Sequence, residues 1–217
     1  MRPSRDALHA GVRRALACPD ETWYRHMLRQ DASGCPLGEA EIAGVLRGAL
    51  AAAAAVAREI GQAHPAASPG ELASALGLDV VPLDEHGGMG PLPLLGLYQP
   101  AGRRIMLNES GLNAIEELIA AHGLETLTPT KDLRACVLYH EIFHALEDAR
   151  PGIFTRSAML RRTLFGLIPR RRGLASASEI GAVHFSRLMA GIAYSPCIFG
   201  HYLLLAEGRI GADAFPG

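Results

Sequence analysis

Lysine is nearly absent: of 21 basic residues only Lys131 is lysine, and the rest are arginine. Alongside the abundant alanine and glycine, that bias is one of base composition and points to no ligand. A surplus of either charge is missing too. The 21 basic residues face 22 acidic ones, a net charge of −1, so no global field draws nucleic acid or an anionic membrane. Cysteine is sparse: Cys18, Cys35, Cys136 and Cys197 are scattered, with no Cys-x-x-Cys pair to form half a zinc knuckle. The most apolar run, Ala49–Ala57, is too short to span a bilayer, and Arg47 and Arg58 bracket it. Its alanines are better explained as helix formers. The first residues carry charge with no apolar stretch behind them, unlike a secretory signal. Together these absences predict a reduced, cytoplasmic protein with no membrane contact and no direct nucleic-acid contact.

What is present suits one domain with an appended helical segment: 217 residues, 49% hydrophobic and 20% charged, enough to bury a core. Residues 1–65 read as helix, with segments over Ala7–Ala17, after Cys18-Pro19-Asp20, and from Gly38 to Ala63. Pro65-Ala66-Ala67-Ser68-Pro69-Gly70 is the clearest linker, so the expected division is a helical N-terminal extension, 1–65, and a main domain, 66–217. Ser68 and Pro69 cap and open a short helix, and Asp79–Leu83 follows as a strand. His86–Pro91 is a glycine loop without phosphate-binding spacing. Leu94–Tyr98 and Arg104–Leu107 flank turn residues and read as a hairpin. Helical patterns return over Ala114–Ala121, Pro129–Asp148, Ser176–Ala193 and Ile198–Glu207. The predicted class is α+β: mostly helical, with a small antiparallel sheet packed on the helix that carries the chemistry.

That helix contains His140-Glu141-Ile142-Phe143-His144. Thr128-Pro129 supplies a start and Ala149-Arg150-Pro151-Gly152 a stop. A spacing of four puts both imidazoles on one face, within reach of one ion. Glu141 lies beside them, placed to accept a proton from water that the ion has acidified. Two histidines and a glutamate among apolar neighbours are costly unless paired or ligated, although hydrogen-bonded core histidines are the bland alternative.

Catalytic zinc takes three protein ligands. Glu147 lies on roughly the same face, but about 10 Å from His140 along the helix axis, so it is expected as a solvated group or a support to the ligands. Glu179 opens another helix, where Gly181 and Ala182 permit close approach. Ser176-Ala177-Ser178-Glu179 is equally a capping-box sequence, in which the glutamate only bonds back to the backbone. Spacing alone leaves these two roles level.

The combination of His140-Glu141-x-x-His144 with Glu179-x-x-Ala182-x-x-Phe185 and Leu188-Met189 resembles the ImmA/IrrE family of zinc metallopeptidases. Upstream, Glu71–Leu78 is similar to its leading helix, and Gly102–Asn108 to the strand before its active-site helix. Val183 and Ser186 stand where that pattern has Asn and Ala. The resemblance covers residues 68–195. It implies a zincin-like domain in which His140, His144 and Glu179 bind Zn2+ and Glu141 is the catalytic base. It also implies limited cleavage of a protein or peptide substrate, such as a helix-turn-helix repressor. A non-catalytic metal-binding sensor or interaction module on the same fold is the alternative, and a helical protein without metal is a third reading.

For a group to stabilise an oxyanion, the sequence offers His184, Arg187, Tyr194 and His201. Cys136, one turn before His140, reads as a buried structural thiol in preference to a ligand. Arg150, Arg156, Arg161, Arg162, Arg170, Arg171 and Arg172 form a basic cluster, expected as a solvated turn and loop, or else as a lid or exosite for an acidic partner.

Overall fold

The computed structural model describes residues 5–32, 34, 36–83, 94–164 and 168–211; the expected glycine loop at 86–91 lies outside them. Three helices come first: α1 (Arg5–Ala17), α2 (Asp20–Arg29) and α3 (Glu39–Ala63). A short helix, α4 (Pro69–Ala75), precedes the strands β1 (Asp79–Pro82), β2 (Gly96–Gln99) and β3 (Arg104–Leu107). Then come α5 (Glu109–His122), α6 (Thr130–Asp148) and the single turn α7 (Phe154–Ser157). A second pair of strands, β4 (Met159–Leu164) and β5 (Ile168–Gly173), leads to α8 (Ala175–Ala190) and α9 (Cys197–Ala206).

The α+β class holds, with a correction to the sheet. β2 and β3 form the expected antiparallel pair, but β1 joins β3 in parallel, giving a mixed sheet of order β1-β3-β2. The basic stretch expected as turn and loop instead forms a two-stranded ribbon, with β4 antiparallel to β5. Its root is closed where the Leu174 amide donates to the Ala158 carbonyl at 3.1 Å, and both residues are buried.

Local chemistry starts several helices. Ser68 caps α4 and Pro69 opens it, as the sequence predicts, and Glu71 completes a reciprocal capping box with Ser68. At α6, Pro129 takes the N-cap position itself, and the Glu125 carboxylate accepts from the exposed Thr130 amide at 3.2 Å.

α6 buries residues on nearly every face, among them Leu133, Val137, Leu138, Ile142, Phe143 and Leu146. A helix covered on this many sides belongs at the centre of the fold. It lies between α8 on one side and β2 on another, with α4 and α5 also against it. α8 approaches closely because Gly181 has no side chain: a Cβ there would stand 2.8 Å from Thr155 Cγ2 and 2.9 Å from Phe143 Cε1. The other cover of α8 is α3, whose buried Ile42, Leu46, Ala49, Ala53, Val56 and Ile60 recur at helical spacing. Among the described residues α3, of 25 residues, is the one helix long and apolar enough to cross a membrane by length and composition. Here its apolar stripe is packed within the protein. The hydrophobic core runs from Leu8 to Leu203 without a break at residue 65.

Candidate metal centre

His140 and His144 project from one face of α6, with their Nε2 atoms 3.1 Å apart. Glu179, in the first turns of α8, completes the group: its Oε2 is 3.3 Å from His140 Nε2 and its Oε1 is 3.6 Å from His144 Nε2. The three ligand atoms lie within 4.8 Å of one another, a His-His-Glu set able to hold a metal ion. Two imidazole nitrogens and a carboxylate oxygen gathered this closely suit a divalent cation. The capping role for Glu179 is not the one adopted. α8 begins with Leu174 as N-cap and no side-chain cap, and Ser176 lies inside the helix. The Ser176 amide donates to Asp31 at 2.9 Å, and its hydroxyl also bonds the Asp31 carboxylate.

Behind the ligands lies a second layer. Glu147 is buried, not solvated, with a side chain only 8% exposed, and its Oε2 is 3.7 Å from His144 Nδ1. The Ser178 hydroxyl donates to Glu147 at 2.5 Å and lies 3.3 Å from the same nitrogen. With Nδ1 held on this side, the Nε2 lone pair is the one left for a metal. Burial pushes the His144 pKa down, but the hydrogen bond with Glu147 and the charges of Glu179, Glu141 and Glu147 outweigh it and raise it to about 9. Desolvation likewise pushes Glu179 up, and its contacts with His140 and His144 outweigh that and hold it at about 2.

A metal must displace the His144 proton. Below pH 9, metal uptake by the apoprotein should weaken by roughly tenfold per pH unit, as titration calorimetry from pH 6 to 9 would measure. The apo fold should show the opposite trend. A histidine raised from 6.5 to about 9 contributes stability that is complete below pH 6.5 and lost as pH rises through 9. A pH-independent affinity would show that the carboxylates around His144 do not hold its proton in solution.

Glu141, one residue round from His140, is 5% exposed. Its Oε2 accepts the backbone N–H of Tyr98, in β2, at 2.7 Å. β2 is an edge strand of the sheet, and this amide bonds α6 instead of β3. Gly96 is what lets the strand come so near: a Cβ there would stand 2.8 Å from Glu141 Cγ and 2.9 Å from its Oε1. Gly96→Ala should therefore push the strand off Glu141, costing about 1–3 kcal/mol of stability while leaving all three metal ligands in place. Chemical denaturation with metal analysis would check both halves; loss of metal would mean that the strand supports the ligands as well.

The groups offered for oxyanion stabilisation are engaged elsewhere. The Tyr194 hydroxyl donates to Asp132 at 2.9 Å, and Arg187 pairs with Asp20. The Tyr24 hydroxyl is 3.5 Å from His184 Nδ1, and the His201 ring stands edge-on to Trp23 with centroids 4.8 Å apart. Cys136 is buried as expected, and burial raises its thiol to about 12. Of the basic cluster, Arg150 pairs with Glu59 at 2.6 Å, and Arg156 with Asp148. Sequence reading passed over Ser178, Gly96 and the Tyr98 amide. Ser178 had a signal, its place directly before Glu179, whereas the other two act only through contacts with Glu141 that are distant in sequence, 43 residues for Tyr98. No family model, curated protein or solved structure matches the chain.

Proposed function

We propose that this protein is a zinc metallopeptidase that makes limited cuts in a protein substrate. The observation that carries the proposal is the convergence of His140, His144 and Glu179 beside a buried Glu141. The donor set of two imidazoles and one carboxylate is that of a catalytic zinc site. Zinc would supply a Lewis acid for the peptide carbonyl and bring water to a pKa of roughly 7.

The chain's own groups divide the remaining work. Glu141 takes a proton from the attacking water on its carboxylate and returns it to the amine as the C–N bond breaks. The Tyr98 amide fixes one oxygen of that carboxylate, which limits the rotamers it can adopt. Ser178 and Glu147 orient His144. The motif order resembling the ImmA/IrrE family favours a regulatory substrate such as a helix-turn-helix repressor. A cytoplasmic setting agrees with Cys18, Cys136 and Cys197 being free thiols.

The test is twofold. Protein purified without chelator should contain about one zinc per chain. Candidate repressors co-expressed with it should be cut by the wild type and left intact by Glu141→Gln. Zinc well below one equivalent would sink the proposal, and zinc without cleavage would favour a non-catalytic sensor.

A further inference from the structure

A cavity of about 310 Å³ adjoins the metal group, with His140 and Glu141 in its wall. Almost all of the remaining wall is apolar. Met27 contributes from α2, Val137 from α6, Val183 from α8 and Phe199 from α9. An apolar cavity of roughly 150 Å³ already admits benzene, so this one has room for any natural apolar side chain. A charged side chain entering it would lose its water and find no counterion apart from the groups engaged in the chemistry, which is costly. α2 and α9 thus help to line a hollow that opens onto His140 and Glu141 of α6.

We propose that this cavity receives the side chain flanking the cleaved bond, and that the protein selects substrates with a large apolar residue there. This rests on the peptidase reading above. It also gives α2 and α9 a function: they supply the selective wall, while α6 and α8 supply the metal ligands.

Gly200 on α9 offers a way to fill the space, because it lines the cavity and a Cβ built on it meets no atom within 4 Å. Zinc-loaded wild type should bind 4-methylpentanohydroxamate on the order of 50-fold more tightly than acetohydroxamate, since both chelate alike and differ only in apolar carbon. Gly200→Leu should bring that ratio close to one without weakening acetohydroxamate. If that variant fails to fold, Gly200→Ala should lower the ratio in the same direction. Equal affinities in the wild type would overturn the proposal. A second measurement dispenses with the metal. In zinc-free protein, 4-methylpentanamide should shift the methyl resonances of Val137 and Val183, and acetamide should not. Unmoved methyls would overturn the pocket itself. Shifted methyls, with neither hydroxamate binding the zinc-loaded protein, would overturn the metal-centred reading and its link to a cleaved bond.

Discussion

Glu141→Gln should keep its zinc and lose cleavage by about 10²–10⁴-fold, the range that a positioned general base contributes. The substitution is chosen for what it retains. Glutamine has the same shape, so the packing against Gly96 is preserved, and its carbonyl oxygen can still accept the Tyr98 amide. Only the ability to take up a proton is removed. Cleavage of a co-expressed repressor followed by immunoblot, with zinc measured on the same preparation, separates the outcomes. Equal cutting by both proteins would show that the base lies elsewhere. Loss of zinc would mean that Glu141 belongs to the ligand set.

Glu179→Ala should abolish the response of stability to zinc. Half of the Glu179 side chain is open to solvent, so removing it costs the metal-free fold little packing. With free zinc at a thousandfold its dissociation constant, wild type gains about 4 kcal/mol, which for a chain of this size is roughly 8–16 °C in melting temperature. The variant, left with two histidines on one helix, should gain little of that. A melting curve that rises equally in both proteins would reduce Glu179 to an ion-pair partner of the imidazoles and move the third ligand elsewhere.

The parts of this site legible in sequence are those that depend on local periodicity. A spacing of four on a helix determines that His140 and His144 share a face, and the structure brings their Nε2 atoms together. Glu179 was not legible in that way, because Ser176-Ala177-Ser178-Glu179 satisfies a helix cap and a ligand segment equally. What separates them is a long-range bond: Asp31, on the loop after α2, engages Ser176, and the helix starts before it. Glu147 shows the same limit. Helix geometry rules it out as a ligand, but its burial and its contacts with Ser178 of α8 and Thr155 of α7 depend on elements beyond its own helix. The sheet was legible as a hairpin, whereas the parallel partner β1 requires knowledge of how the chain crosses back. In β4 and β5 the arginines hide the strand pattern, since runs of charge carry no apolar alternation.

The root of the β4–β5 ribbon has a consequence for how this chain can vary. The excursion leaves at Ala158 and returns at Leu174 across one hydrogen bond, so its length is uncoupled from the position of Glu179. Matched additions to both strands would keep the ladder in register and its root closed, whereas a single residue added between Leu174 and Glu179 would rotate the carboxylate by about 100° around α8. The ribbon is accordingly where a reporter or affinity tag can be placed without disturbing the metal centre.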